Sequence, residues 1–198
     1  MNPMTIAKSE LILGGQKSGK SRRAELLARD WLAQSPDHRA VLIATAQPWD
    51  DEMRERIARH QVDRAERVPG LATVEEPLAL ARAIERHSQA HTLVVVDCLT
   101  LWLTNLLMPA EIAPSSEENR PLAGTGIAKT ASLLIAIEQA KGPVVLVGNE
   151  IGLGVIPMGR EVRAFVDALG RLNQDVAATC QRVTLMAAGL PLTLKDAL

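Results

Sequence analysis

The stretch Leu11-Ile12-Leu13-Gly14-Gly15-Gln16-Lys17-Ser18-Gly19-Lys20-Ser21, running on into Arg22-Arg23-Ala24-Glu25-Leu26-Leu27-Ala28-Arg29-Asp30-Trp31-Leu32-Ala33-Gln34, decides the fold class. An apolar run ends in G-x-x-x-x-G-K-S and passes directly into a helical pattern, the strand, loop and helix order that a phosphate cradle requires. In such a loop successive backbone N–H groups and the helix N-terminus face phosphate oxygens. Lys20 then reaches the β and γ oxygens, and the Ser21 hydroxyl helps hold Mg²⁺. Gly14, Gly15, Gln16, Lys17, Ser18, Gly19, Lys20 and Ser21 are therefore candidate nucleotide-binding residues.

Outward from this loop, short apolar runs recur at Ala40–Ala46, Thr92–Cys98, Pro143–Asn149 and Arg182–Gly189. Helical patterns separate them: Lys20–Gln34, Asp51 to about Ala65, Pro77–His87, Leu99–Leu107, Ile127–Ala140 and Arg160–Thr179. Continuous rather than alternating apolar character marks strands covered by helices on both faces of a parallel sheet. The rhythm predicts an α/β fold, a P-loop NTPase (RecA-like) three-layer sandwich with a mostly parallel central sheet. Residues 1–198 read as one domain. The segment Pro109–Gly126, which concentrates Pro, Ser, Gly and charge, reads as a surface loop or lid.

Composition narrows the function classes. The 22 Lys+Arg against 23 Asp+Glu leave a formal net charge of −1, without the excess that non-specific nucleic-acid or anionic-membrane binding needs. Three Trp, one Phe and no Tyr argue against base-stacking platforms, so no nucleic-acid partner is expected. The greasiest run, Leu93–Met108, is interrupted by Asp97 and Asn105 and falls short of the about 20 apolar residues that span a bilayer. Cys98 and Cys180 have no metal-ligand spacing, and MNPMTIAKSE has no apolar signal region. A cytoplasmic location is the expectation.

Asp97 closes the apolar run Val94-Val95-Val96, at a strand's carboxyl edge where ligands of open α/β sheets sit. It is the second acidic candidate, a Mg²⁺ ligand beside Ser21, or else a helix N-cap for Leu99–Leu107. The segment Asp50–Arg64 is densely charged, and as a helix it sets Arg56, His60, Arg64 and Arg67 within about an 80° sector. A solvated face laced with pairs such as Glu52 and Arg56 accounts for this. So does a nucleophilic site, because cationic neighbours lower an imidazole's pKa, favour its neutral form and offset incoming phosphate charge. His38, His87 and His91 lack a companion ligand set for metal. Trp31, Trp49 and Trp102 read as packing anchors, and Cys98 as a small buried residue.

Taken together, GGQKSGKS from Gly14, IATAQPWDDEM from Ile43, RIARHQVDR from Arg56, Asp97 followed by LTLWLTNLL, VGNEIGLGVIP from Val147 and GRLNQDVA from Gly170 resemble one family. It is the bifunctional adenosylcobinamide kinase / adenosylcobinamide-phosphate guanylyltransferase family of cobalamin biosynthesis, matched in order from about Leu11 to Leu194. The resemblance implies phosphorylation of a hydroxyl on the aminopropanol arm of adenosylcobinamide by ATP or GTP. GMP transfer from GTP to adenosylcobinamide phosphate would follow, through a guanylylated histidine that matches His60. Nucleotide contacts implied in this way fall on Gly14 to Ser21, Thr45, Ala46, Gln47, Gln61, Val62, Asp63, Arg64, Glu75 and Asp97, with Lys20 and His60 catalytic. A homotrimer is also implied. The chain carries Ala46 where the family often has Ser, Leu71 where it has Trp, and Asp97 where Glu is as frequent.

Asn149–Pro157 would then either shape the cobinamide site or form a turn in which Gly152 and Gly154 supply unusual φ angles. Two other functions share the loop: a monofunctional P-loop small-molecule kinase, and a regulatory P-loop module that switches on hydrolysis.

Overall fold

In a computed structural model, residues 5–48, 51–108, 122–155 and 157–197 are described. Seven strands and six helices follow in chain order: β1 (Ser9–Gly14), α1 (Lys20–Gln34), β2 (Arg39–Ala44), α2 (Asp51–Arg67), β3 (Leu71–Glu75), α3 (Leu80–His87), β4 (Thr92–Asp97), α4 (Leu99–Leu107), α5 (Leu122–Glu138), β5 (Val144–Val147), α6 (Arg160–Thr179), β6 (Arg182–Ala187) and β7 (Leu190–Asp196). The sheet order is β3-β2-β4-β5-β1-β6-β7, parallel throughout except for β7, which runs antiparallel to β6. One strand, β5, stands between the loop strand β1 and the Asp97 strand β4.

Strand side chains alternate between two cores, as a period of two demands. Leu11, Leu13, Val94, Val96, Val144 and Leu146 meet Ile84, Trp102, Leu133 and Leu172 from α3, α4, α5 and α6. Ile12, Leu93, Val95, Val145 and Val147 turn the other way, onto Ala24, Leu27 and Ala28 of α1. The central strands are apolar at every position because each face has its own helical layer. Trp102 is an anchor as expected, fully buried with its indole N–H donating to Leu78 O at 3.1 Å. Trp31 stacks on His38 at 3.7 Å, and Trp49 lies outside the described residues.

The structure departs from the sequence expectations in three places. β3 lies at a sheet edge, so only alternate residues need be apolar and its signal is weak. β7 follows a two-residue hairpin, Ala188 at φ 50° and Gly189 at φ 80°, where the expected strand had run through Gly189. α5 begins at Leu122 and takes in residues expected to be loop, since glycines at 124 and 126 lower helix propensity without forbidding it. Positions 109–121 of the expected loop lie outside the described residues.

Candidate nucleotide site

All the strands that carry candidate motifs end on one rim of the sheet. Ala44 is paired with both Glu75 and Asp97, and Asp97 with Val147. Along the rim the order is Glu75 (β3), Ala44 (β2), Asp97 (β4), Val147 (β5) and Gly14 (β1). Four strand spacings of about 4.8 Å put the two ends roughly 19 Å apart.

At the β1 end lies the cradle. Lys17 (φ 54°) and Gly19 (φ 101°) are both left-handed, the backbone alternation that turns successive N–H groups into an anion-binding concavity. The Lys20 ammonium donates to Gly15 O at 2.6 Å, folded back across its own loop. Burial pushes its pKa down, and Cys98 and Asp97 oppose that. Burial itself holds the Cys98 thiol up at about 11, so at neutral pH that thiol is uncharged and Asp97 supplies the stabilising charge. The Ser18 hydroxyl is buried with no hydrogen-bond partner among the described residues. Gly14 has φ 153°, and a Cβ there would lie 2.5 Å from Met186 O and 2.6 Å from Ser18 Oγ. Gly14→Ala is therefore expected to cost about 2 kcal/mol, lowering Tm by roughly 4–8 °C in a thermal melt and weakening nucleotide binding in titration calorimetry.

Asp97 is held rather than capping. The N-cap of α4 is Cys98, with no side-chain cap, so the helix-capping alternative for Asp97 does not hold. The peptide that follows it, Asp97–Cys98, is cis. Thr45 clamps that peptide: its hydroxyl donates to Cys98 O (2.7 Å) and accepts from Cys98 N–H (2.9 Å), while its N–H donates to Asp97 O (3.1 Å). Asn105 completes the clamp by donating to Thr45 O at 2.8 Å. Thr45 is fully buried with its hydroxyl, N–H and carbonyl all engaged. Ser21 and Asp97, both half-buried, offer a hydroxyl and a carboxylate. With phosphate oxygens and water, such a pair suits Mg²⁺, which seldom takes an all-protein cage. No cluster of three or more His, Cys, Asp or Glu able to hold a metal occurs among the described residues.

At the far end of the rim, Ala46, Pro48, Arg54, Ala58, Gln61 and Glu75 line an open cleft of about 210 Å³. Three of these are candidate contacts, and Gln61 donates to Glu75 Oε1 at 3.4 Å. Gln47 is half-buried beside them and Val62 is exposed. Asp63 pairs with Arg67 at 3.5 Å. Arg64 diverges from Gln61: it is buried, donating to Thr73 Oγ1 (3.4 Å), with its Nε 3.6 Å from Glu25 of α1. Arg67 donates to the same carboxylate at 2.6 Å. Two of the four residues in the cationic sector are thus turned onto a buried acid. The helix is continuous through His60, whose side chain, like that of Arg56, lies outside the described residues.

Sequence reasoning had passed over Glu25, Asn105 and Asn173. Each is polar inside an apolar helical pattern, and that was the available signal. Asn173, on α6, donates to Asn149 O (3.0 Å) and to Glu150 Oε2 (3.4 Å). Thr100 accepts from Asn149 N–H at 2.9 Å, and Glu150 N–H donates to Gly14 O at 3.1 Å. The segment after β5 is thereby stitched to the cradle.

The chain resembles P-loop ATPases of known structure. The flagellar accessory protein FlaH of Methanocaldococcus jannaschii superposes with a TM-score of 0.51 over 96% of this chain and 80% of that one, at 12% identity. A second solved ATPase domain gives 0.52 over 96% and 78%, also at 12% identity. These likenesses show the RecA-like P-loop fold. In sequence, the bifunctional adenosylcobalamin biosynthesis protein CobP of Pseudomonas aeruginosa is 46% identical over 94% of this chain and 96% of its own length. The CobU protein of Escherichia coli is 35% identical over 93% and 98%. The model of the cobinamide kinase / cobinamide phosphate guanyltransferase family matches residues 10–194. Relatives alike over nearly their whole length, and a family model spanning the cradle, the cleft and α6, show that this chain belongs to the cobinamide kinase / cobinamide phosphate guanyltransferase family.

Proposed function

We infer that this chain performs both reactions of its family, ATP- or GTP-dependent phosphorylation of adenosylcobinamide and GMP transfer from GTP onto the resulting phosphate, the second through a guanylyl-His60 intermediate. One observation carries the reading: a single rim holds two poles, a lysine-armed phosphate cradle and a separate cleft lined by Ala46, Gln61 and Glu75. A plain kinase or a switch needs only the first.

In the kinase step the cradle and Lys20 hold the β and γ phosphates, so that transfer is governed by positioning and charge neutralisation. Ser21 and Asp97 would hold Mg²⁺, which supplies further neutralisation of phosphate charge when bound. In the second step a His60 ring nitrogen bonds to the α-phosphorus as the bond from that phosphorus to its α–β bridging oxygen breaks, releasing pyrophosphate. A phosphate oxygen of adenosylcobinamide phosphate then attacks the same phosphorus and frees the imidazole. Splitting one displacement into two lowers each barrier. Glu75 suits the base: its carboxylate accepts from guanine's N1–H and N2–H₂, donors that adenine does not offer on that edge. Thr45 supports the site by fixing Asp97.

The homotrimer belongs to the same reading. Edge strand β7 exposes Leu190, Leu192 and Leu194, each more than half accessible, an apolar ladder suited to another copy of the chain. A cytoplasmic location fits a biosynthetic enzyme that consumes nucleotides; no helix among the described residues is long and apolar enough to cross a membrane.

The test is GTP labelled at the α-phosphate, given with Mg²⁺ and quenched without acid. One GMP should appear on the protein by intact mass, be lost on acid treatment, and be absent in His60→Ala while cobinamide phosphorylation continues. Label transferred only from the γ position, with no adduct, would reduce the chain to a kinase.

A further inference from the structure

We propose that Glu150 is the general base of the kinase step, accepting the proton of the acceptor hydroxyl, and that Asn173 is the residue that positions it. The carboxylate stands at the end of β5, the strand between the cradle and Asp97. Its own N–H donates to Gly14 O, so its backbone is tied to the first glycine of the phosphate loop. Its side chain is half-buried. Oε1 accepts from Gly152 N–H at 3.0 Å and Oε2 from Asn173 Nδ2 at 3.4 Å. Both bonds orient the carboxylate, and neither brings a cation against it, so its oxygens keep lone pairs for a hydroxyl.

Asn173 is 4% exposed and its Oδ1 has no hydrogen-bond partner among the described residues. A buried amide with one idle acceptor is costly to a fold, and it is retained where its other half does a specific task. Here that half holds Asn149 O and Glu150. A Cβ on Gly148 would come 3.3 Å from the idle Oδ1, so the small residue at the strand end lets α6 approach this closely. Beyond Glu150 the chain exposes Leu153 and Val155, at 79% and 96%, an apolar surface on the acceptor's side of the carboxylate.

The step balances as follows. The acceptor hydroxyl oxygen bonds to the γ-phosphorus while the bond from that phosphorus to its β–γ bridging oxygen breaks, and the electron pair leaves with the nucleoside diphosphate. The hydroxyl proton passes to a Glu150 oxygen and then to solvent.

Glu150→Gln keeps the shape and removes the base. Its turnover in cobinamide phosphorylation should fall about a hundredfold, while GMP transfer to preformed adenosylcobinamide phosphate stays within threefold of the unaltered enzyme, which also reports an intact fold. Asn173→Ala should lower the kinase kcat about tenfold with KM for both substrates unchanged. Kinase turnover within threefold in Glu150→Gln would overturn the assignment, as would parallel loss of both reactions. Restoration of the Glu150→Gln rate by excess Mg²⁺ would also overturn it, by making the carboxylate a metal ligand.

Discussion

Lys20→Ala should lower kcat/KM for cobinamide phosphorylation by about a thousandfold, the upper range for removing one preorganised charged donor from a water-poor site. The ammonium is nearly buried, and with no phosphate present it is engaged by Gly15 O at 2.6 Å. Nucleotide binding exchanges that carbonyl for phosphate oxygens, so the lysine is preorganised and the loop needs no large rearrangement. Lys20→Arg should not restore the rate, because a planar guanidinium cannot occupy the volume or present the point charge of an ammonium. Pyrophosphate would leave from the same cradle, so formation of the GMP adduct should fall as well. The pH profile has a definite sign. Burial holds this lysine below 10.5, and the protonated form binds phosphate, so kcat/KM persists below the lowered pKa and declines as pH rises through it, earlier than for a free lysine. Steady-state kinetics across alkaline pH measures both; a rate within tenfold of the unaltered enzyme in Lys20→Ala would remove Lys20 from phosphate binding.

The cradle was legible in the sequence because its signals are local: an apolar run, spaced glycines and a helical pattern stand side by side over Leu11–Gln34, and the helix spans Lys20–Gln34 as read. The buried strands were legible for the same reason. Thr92–Asp97 is apolar at successive positions because both of its faces are covered. The edges were not, since β3 and β7 owe their pairing to a neighbour far along the chain or across a tight turn. The site divides in the same way. Asp97 and the cleft residue Glu75 end strands, and the family resemblance picked them out. That Arg64 would turn away from the cleft toward Glu25 depends on how α2 packs on α1, a non-local fact that no spacing in Arg56–Arg64 encodes. Thr45 shows the opposite limit. The resemblance marked it as a nucleotide contact, and the fold commits its hydroxyl to the Cys98 peptide.

Glu25 should separate what two substitutions do. Its carboxylate is 3% exposed on α1 and receives Arg67 at 2.6 Å and Arg64 at 3.6 Å, so it ties the phosphate helix to the C-terminal turns of α2. Glu25→Ala removes the acidic partner of buried Arg64 and should destabilise the fold by about 3 kcal/mol, the scale for breaking a buried pair from one side. With its C-terminal half released, α2 should place His60 less well, and GMP transfer should fall further than phosphorylation. Glu25→Gln keeps an oxygen for Arg67 and should cost less than about 1 kcal/mol. The two also differ in pH dependence. Burial raises the Glu25 pKa above 4.5 against the pull of Arg67 and Arg64, so the folded state holds this proton more tightly than the unfolded chain does. Stability from this group is therefore greatest below 4.5 and declines as pH rises to the raised value, then levels off. Glu25→Gln lacks that decline. Subtracting its urea-unfolding free energy from that of the unaltered protein at a series of pH values should give a difference that shifts in favour of Gln from about pH 4.5 upward. A difference moving the other way would mean that the arginines outweigh burial and that the α1–α2 tether is held by charge.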